Sequence, residues 1–183
     1  PAFFAIYEAL LTNDPDGNDN HQLATGFTKS ADGMEYRFDI DPAGKFHSGK
    51  PADAAAVADF LSFFKATSFI ATLAAPVASY ESEGDQLVVK MNNPWVGALG
   101  PHKTGYFRVL CMDTWNEAGG MESTTYGTEI ADGTGPFTHE EFVPGSHVLV
   151  KRWEDYPGSN TEYFENKGPA HLDAIRWTFI AEA

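Results

Sequence analysis

Between Met34 and Ile40 the chain alternates apolar and polar side chains without interruption: Met34, Tyr36, Phe38 and Ile40 are set against Glu35, Arg37 and Asp39. A strand sends successive side chains to opposite faces, so this period of two specifies a strand with one buried face. Asp41-Pro42-Ala43-Gly44 then breaks the strand, because Pro lacks a backbone donor and Gly tolerates positive φ. A tight polar loop, Lys45-Phe46-His47-Ser48-Gly49, leads through a second turn to Asp53, a good N-cap for the Ala-rich run from Ala54 to Lys65.

Other segments read less sharply. Phe3, Phe4, Ile6, Tyr7, Leu10 and Leu11 recur at helical spacing and predict an amphipathic helix over residues 2–11, followed by a polar loop from Thr12 to Asn20. Residues 66–78, with Phe69, Ile70 and Leu73, predict a second short helix that Pro76 ends. Val77 to Tyr80 and Gln86 to Met91 read as strands joined by a turn over Glu81 to Asp85. Trp95, Val96 and Leu99 suggest a short helix, and Phe107 to Met112 a short buried strand. Asn116 to Asp132, with Gly119, Gly120 and Gly127, reads as a long loop of the kind that often carries function. Pro144-Gly145 between Glu141-Phe142-Val143 and His147 to Arg152 is a hairpin on turn chemistry alone. Ile175, Trp177 and Phe179 then alternate with Arg176 and Thr178.

The 183 residues are 43% hydrophobic and 14% aromatic, enough for one sizeable domain or two small subdomains. The net charge is −14 with only 12 Lys and Arg, which argues against nucleic acid and anionic membranes, where basic residues do the binding. Such acidity serves solubility or salt tolerance, or faces a cationic ligand. No apolar run approaches a membrane span. Cys111, in the run Arg108-Val109-Leu110-Cys111-Met112, is expected to be a buried, inert thiol. The six histidines are scattered, and His139-Glu140-Glu141 lacks the second His of a zinc-hydrolase helix. Gly133-x-Gly135 is followed by Pro136 and a strand, unlike a phosphate loop. Neither a metal nor a cofactor is expected.

Taken in order, these motifs resemble the family 5 extracellular solute-binding proteins of ABC transporters, the dipeptide, oligopeptide and nickel binders. The family's "Tyr/Phe-Glu-x-Leu" is Tyr7-Glu8-Ala9-Leu10, and its "Leu-Ala-x-x-Trp" is Leu23-Ala24-Thr25-Gly26-Phe27. Its "Tyr-x-Phe-x-Leu" and "Lys-Phe-x-x-Gly-x-Pro" are Tyr36, Phe38, Ile40 and Lys45, Phe46, Gly49, Pro51. Its "Gly-Thr-Gly-Pro-Tyr" is Gly133-Thr134-Gly135-Pro136-Phe137, and its "Pro-x-Leu-Asp-x-Ile" ends on Leu172-Asp173-Ala174-Ile175. Two places depart: the helix opens Ala54-Ala55-Ala56-Val57 without the family's acids, and "Arg-Asn-x-x-Tyr-Trp" has become Arg152-Trp153-Glu154-Asp155-Tyr156-Pro157.

The resemblance implies a mixed α/β fold, an incomplete lobe I of a periplasmic-binding-protein type II fold, with mixed β-sheets and flanking short helices. Residues 11–133 would form an inserted subdomain, and residues 1–10 with 134–183 part of the main lobe. Family members are much longer, so a cut piece of their N-terminal part is expected. The implied function is capture of a peptide or other small solute for a membrane permease, without enzymatic activity. The implied location is periplasmic or extracellular, with a lipid anchor as one option in the full-length protein. Phe69, Tyr126 and Thr134 are the residues the resemblance places toward the ligand.

One reading of a different class competes. Ser62-x-x-Lys65 on a helix, Tyr80-x-Ser82 and Lys103-Thr104-Gly105 stand in the motif order of serine β-lactamases and related esterases. Lys65 lies one helical turn from Ser62 and could activate it. Tyr80 is close in sequence for the domain those enzymes insert there, and the chain is short for that fold. An incomplete lobe leaves sheet edges uncovered, so the chain is expected to self-associate. Light scattering at high concentration should show oligomers, and a clean monomer would count against that expectation.

Overall fold

The structure, a computed structural model, describes residues 2–67, 71–95, 97–103 and 107–180. Among these residues the elements run α1 (Ala2–Ile6), β1 (Leu11–Asn13), β2 (Asp19–His21), β3 (Ala24–Lys29), β4 (Glu35–Ile40) and α2 (Ala54–Thr67). There follow β5 (Val77–Glu83), β6 (Gln86–Met91), α3 (Gly100–Lys103), α4 (Met112–Glu117), β7 (Phe137–Val143), β8 (His147–Arg152) and β9 (Ala174–Thr178). They make a two-stranded ribbon, a four-stranded sheet in the order β3-β4-β6-β5 and a three-stranded meander β7-β8-β9. Every named pairing is antiparallel.

The alternating run is β4, at the centre of the larger sheet. Tyr36, Phe38 and Ile40 are buried, while Glu35, Arg37 and Asp39 lie on the half-exposed face. Phe38 stands opposite Phe27 of β3 and Leu87 of β6. On the wet face Arg37 pairs with Glu35 at 2.6 Å and with Glu83 at 2.8 Å. The helix α2 covers the dry face with Val57, Ala58, Phe60 and Leu61. Asp53 caps it, its Oδ1 accepting from Ala56 N at 2.9 Å. A smaller core gathers Ile6, Tyr7, Phe137 and Val150 between α1 and the meander, with Ile175 and Trp177 packed against it.

The two cores meet along a seam. Gly133 and Gly135 pass so close to the first segment that a Cβ on Gly133 would lie 2.2 Å from the Ile6 carbonyl oxygen, and one on Gly135 2.5 Å from that of Ala5. Only glycine permits this approach. It lets Gly135 N donate to Ile6 O at 2.8 Å. The polar loop after β4 reaches the same place: His47 N donates to Gly133 O at 2.9 Å, and His47 Nε2 lies 2.8 Å from Gly135 O. Asp132 fastens the other side, accepting from Ser48 N and Thr114 Oγ1 by its carboxylate and from Cys111 N by its carbonyl.

Several expectations are corrected. The helix foreseen over residues 2–11 stops at Ile6. Beyond it the backbone is claimed by neighbours: Glu8 O accepts from Val109 N, Ala9 O from Leu23 N, and Leu10 O from both Gln22 N and Ala24 N. The polar loop 12–20 is mostly the β1–β2 ribbon, closed by Asp14, whose Oδ1 accepts from the backbone of Asp16 and Asn18. The turn after β5 shrinks to Gly84-Asp85, because Glu81 to Glu83 pair with Val88 to Gln86. Beyond α2, residues 71–74 form a 3-10 turn, and residues 68–70 lie outside the described residues. Of the short helix expected around Trp95, Val96 and Leu99, Val96 lies outside the described residues, and the described helical turn is α3, beginning at Gly100. Phe107 to Cys111 is extended and largely buried but joins no sheet, bonding instead to Glu8 O and Asp132 O, and Met112 already opens α4. The long loop from Asn116 holds the end of α4, a 3-10 turn over Gly120–Glu122 and a bridge between Tyr126 and Ile130. The strand expected at residues 141–143 starts at Phe137, and Phe179 falls outside β9 and is exposed.

Phe38 is fully buried at the centre of the larger core. Phe38→Ala should cost about 3–5 kcal/mol in urea unfolding, the range for deleting a buried aromatic ring.

Candidate functional site

The seam carries two opposite charges. Glu8 is 6% exposed, and the Tyr156 hydroxyl donates to its Oε1 at 2.9 Å. Burial pushes the Glu8 carboxyl up to about 7, against the smaller opposing effects of Tyr156, Thr134 and Arg108. Arg108 is 9% exposed; its guanidinium donates to the Tyr7 carbonyl and lies 4.5 Å from the centre of the Phe4 ring. Its buried Nε meets no acceptor among the described residues. Burial lowers the Arg108 pKa, and the nearby Glu8 partly offsets this.

Consecutive residues of the first segment serve two cavities. Tyr7 lines an apolar one of about 320 Å³, together with Phe3, Leu110, Tyr126, Phe142 and Val148. Glu8 lines a polar one of about 220 Å³, together with Asp41, Lys45, Thr134, Asn160 and Lys167. An apolar cavity rimmed by phenol groups holds a solute by contact area and orients it by a few polar atoms.

The sequence-derived residues fall as follows. Tyr126 lines the apolar cavity; its hydroxyl accepts from Asp132 N at 3.4 Å and lies 3.5 Å from Asp132 O. Burial raises its pKa to about 12, so the phenol stays neutral. Thr134 lines the polar cavity instead; it is 4% exposed, and its Oγ1 lies beside Glu8 without completing a hydrogen bond. Phe69 lies outside the described residues.

Of the competing hydrolase reading, the described residues are Ser62, Lys65, Tyr80, Ser82 and Lys103. Ser62, Lys65 and Tyr80 do border one shallow cavity. Ser62, however, meets the Tyr80 backbone, its Oγ donating to Tyr80 O at 3.4 Å. The Tyr80 phenol is engaged in the core with His102 Nε2 at 3.2 Å, and burial raises its pKa. Lys103 is tied to Asp19 of the ribbon, and Thr104 and Gly105 lie outside the described residues. Packing of α3 against β5 thus engages the Tyr80 phenol with His102. Cys111 is buried as expected, and burial raises its pKa.

Sequence reasoning missed Glu8, Arg108 and Asp132 as a group. The available signal was a charge inside each apolar run, Tyr7-Glu8-Ala9-Leu10 and Phe107-Arg108-Val109-Leu110. Among the described residues, no cluster of His, Cys, Asp and Glu could hold a metal ion.

The antiparallel sheets flanked by short helices match the type II periplasmic binding fold over about a third of the solved chains. NikA from Brucella suis, in complex with Fe(III)-EDTA, matches at a TM-score of 0.80 and 23% identity, over 98% of this chain and 34% of that one. An ABC transporter substrate-binding protein from Sinorhizobium meliloti matches at 0.80 and 16% identity, over 100% of this chain and 35% of that one. DppA from Helicobacter pylori, in complex with the peptide STSA, matches at 0.72 and 20% identity, over 96% and 37%. The model of the bacterial extracellular solute-binding proteins, family 5, matches residues 20–183, and the chain belongs to that family. It spans about a third of the length of the solved structures it matches.

Glu8 also sets a pH dependence. Its carboxyl keeps a proton in the native state up to about pH 7, against 4.5 for its ordinary value. Stability from that proton is complete below the ordinary value and is lost as pH rises through about 7. Buried His102 runs the other way: its pKa is lowered to about 4, so its contribution is present above 6.5 and lost as pH falls. Urea unfolding of Glu8→Gln beside the parent chain isolates the first effect. Between these limits the parent should lose up to roughly 3 kcal/mol relative to the variant, whereas a pH-independent difference would mean that Glu8 is ionised throughout.

Proposed function

We propose that this chain takes part in capturing a small solute or short peptide for delivery to an ABC permease, as a binding protein and not an enzyme. Family membership supports the class of activity. The observation that carries the site is the apolar cavity bordered by Tyr7 and Tyr126. In this reading Tyr126 and Phe3 pack on the solute, and the Tyr126 hydroxyl at the cavity's rim orients it. Phe69, which lies outside the described residues, is by its resemblance a further ligand contact in this reading. Thr134 belongs to the polar cavity and is not part of this contact set.

In the same reading residues 11–133 form the inserted subdomain, and residues 1–10 with 134–183 belong to the main lobe. The protein works outside the cytoplasmic membrane, in the periplasm or at the cell surface. The exposed Phe179 and Ile180 beside the edge strand β9 offer a surface for self-association.

The relatives bound a metal chelate and a peptide, so the chain should be screened by thermal unfolding against di- to tetrapeptides and metal–histidine chelates. A ligand at one hundred times its Kd should stabilise the fold by about 2.7 kcal/mol. Tyr126→Ala should weaken that ligand about tenfold or more, as loss of an aromatic anchor does. If every class leaves the melting temperature unchanged, the chain does not bind by itself.

A further inference from the structure

The polar cavity is a built site with no role in the reading above, and the inference drawn from it does not rest on that reading. Glu8 and Thr134 form its floor, each more than nine-tenths buried. Thr134 Oγ1 lies beside the Glu8 carboxyl but completes no hydrogen bond of full geometry among the described residues, so its oxygen is open to a ligand donor. Asp41, Lys45 and Lys167 are exposed at the mouth. Lys167 Nζ already donates to the carbonyls of Thr161 and Glu162 and retains a third proton. Lys45 makes no ion pair among the described residues.

The lining therefore presents two carboxyl groups and two ammonium groups. A lone cation would be repelled by the lysines and a lone anion by the acids. The volume of about 220 Å³ lies below the ~300–1,000 Å³ of pockets for drug-sized ligands. We propose that this cavity binds a small zwitterion of the amino-acid class, its ammonium seated on Glu8 and Thr134 with Asp41 nearby, its carboxylate held at the mouth by Lys45 and Lys167.

The site would also act as a clasp. Its far wall is the 157–160 segment, where Asn160 Nδ2 donates to Gln22 O, and the adjoining Thr161 Oγ1 donates to His21 O at 2.9 Å. A ligand bridging Glu8 and Lys167 would add a further link between the first segment and that loop.

The groups facing Glu8 are Tyr156, Thr134 and Arg108, with Asp41, Lys45 and Lys167 around the cavity. With its pKa at about 7, Glu8 is half protonated at neutral pH. An incoming ammonium favours the carboxylate and displaces that proton.

The test is isothermal titration calorimetry of the 183-residue chain with L-alanine, in buffers of different ionisation enthalpy. Methylammonium and acetate serve as single-charge probes. Saturable L-alanine binding should release about half a proton per ligand near pH 7 and almost none near pH 8.5. Glu8→Gln keeps an acceptor for Tyr156; it should abolish the proton release and weaken binding about tenfold or more. Thr134→Val, similar in shape, should weaken binding with proton release retained. The proposal is overturned if L-alanine gives no saturable heat, if Glu8→Gln binds it as tightly as the parent, or if methylammonium or acetate binds as tightly as L-alanine.

Discussion

The contact on which the rest of the molecule depends is the backbone passage of Gly133-Thr134-Gly135 across Ala5, Ile6 and Tyr7. Two glycines without side chains let the loop lie against the carbonyls of the first segment at distances that any Cβ would forbid. That proximity aligns Gly135 N with Ile6 O, and it brings both glycine carbonyls within reach of His47. Burial lowers the His47 pKa, which suits a neutral ring with one donor for the Gly135 carbonyl. Trp153 stacks edge-on against the same ring, with centroids 4.8 Å apart. One short motif thereby joins the β4 loop, the first segment and the meander.

Packing backbone on backbone at the seam leaves little room for ordinary side chains, and the chain fills the remaining space with polar ones. Glu8, Arg108, Asp132 and Thr134 are all buried there. Removing charges from water is costly unless hydrogen bonds replace the lost hydration. Asp132 accepts donors from Ser48 and Thr114. Glu8 does so only in part and keeps its proton to near neutrality as a result. Arg108 donates to the Tyr7 carbonyl, and its Nε meets no acceptor among the described residues. Incomplete satisfaction of this kind separates a site able to receive a ligand from a purely structural network.

Much of the fold was legible because local chemistry and final environment agreed. The alternation of β4 matches its buried and wet faces residue by residue, Asp53 caps α2, and Pro144-Gly145 turns β7 into β8. The failures share one cause. Helical spacing over Phe3 to Leu11 was outweighed by backbone pairing to Leu23 and Val109, partners 14 or more positions away. Ser62, Lys65 and Tyr80 do come together, as their motif order suggested, but the hydroxyl of Tyr80 is drawn into the core by His102. Tyr126 and Thr134, only eight positions apart, line different cavities, a separation that no spacing rule contains.

By itself the sequence determined the strand and helix syntax around β4, the turn positions and the order of motifs that marks the family. These depend on properties carried within a few residues: side-chain period, missing donors, permissive glycines. Tertiary structure alone decided which polar residues became a site. Burial, and with it the raised pKa of Glu8, the enclosed hydroxyl of Thr134 and the shielded guanidinium of Arg108, arises only when segments more than a hundred positions apart exclude water together. Desolvation is a property of the assembled seam, and no window of the sequence displays it.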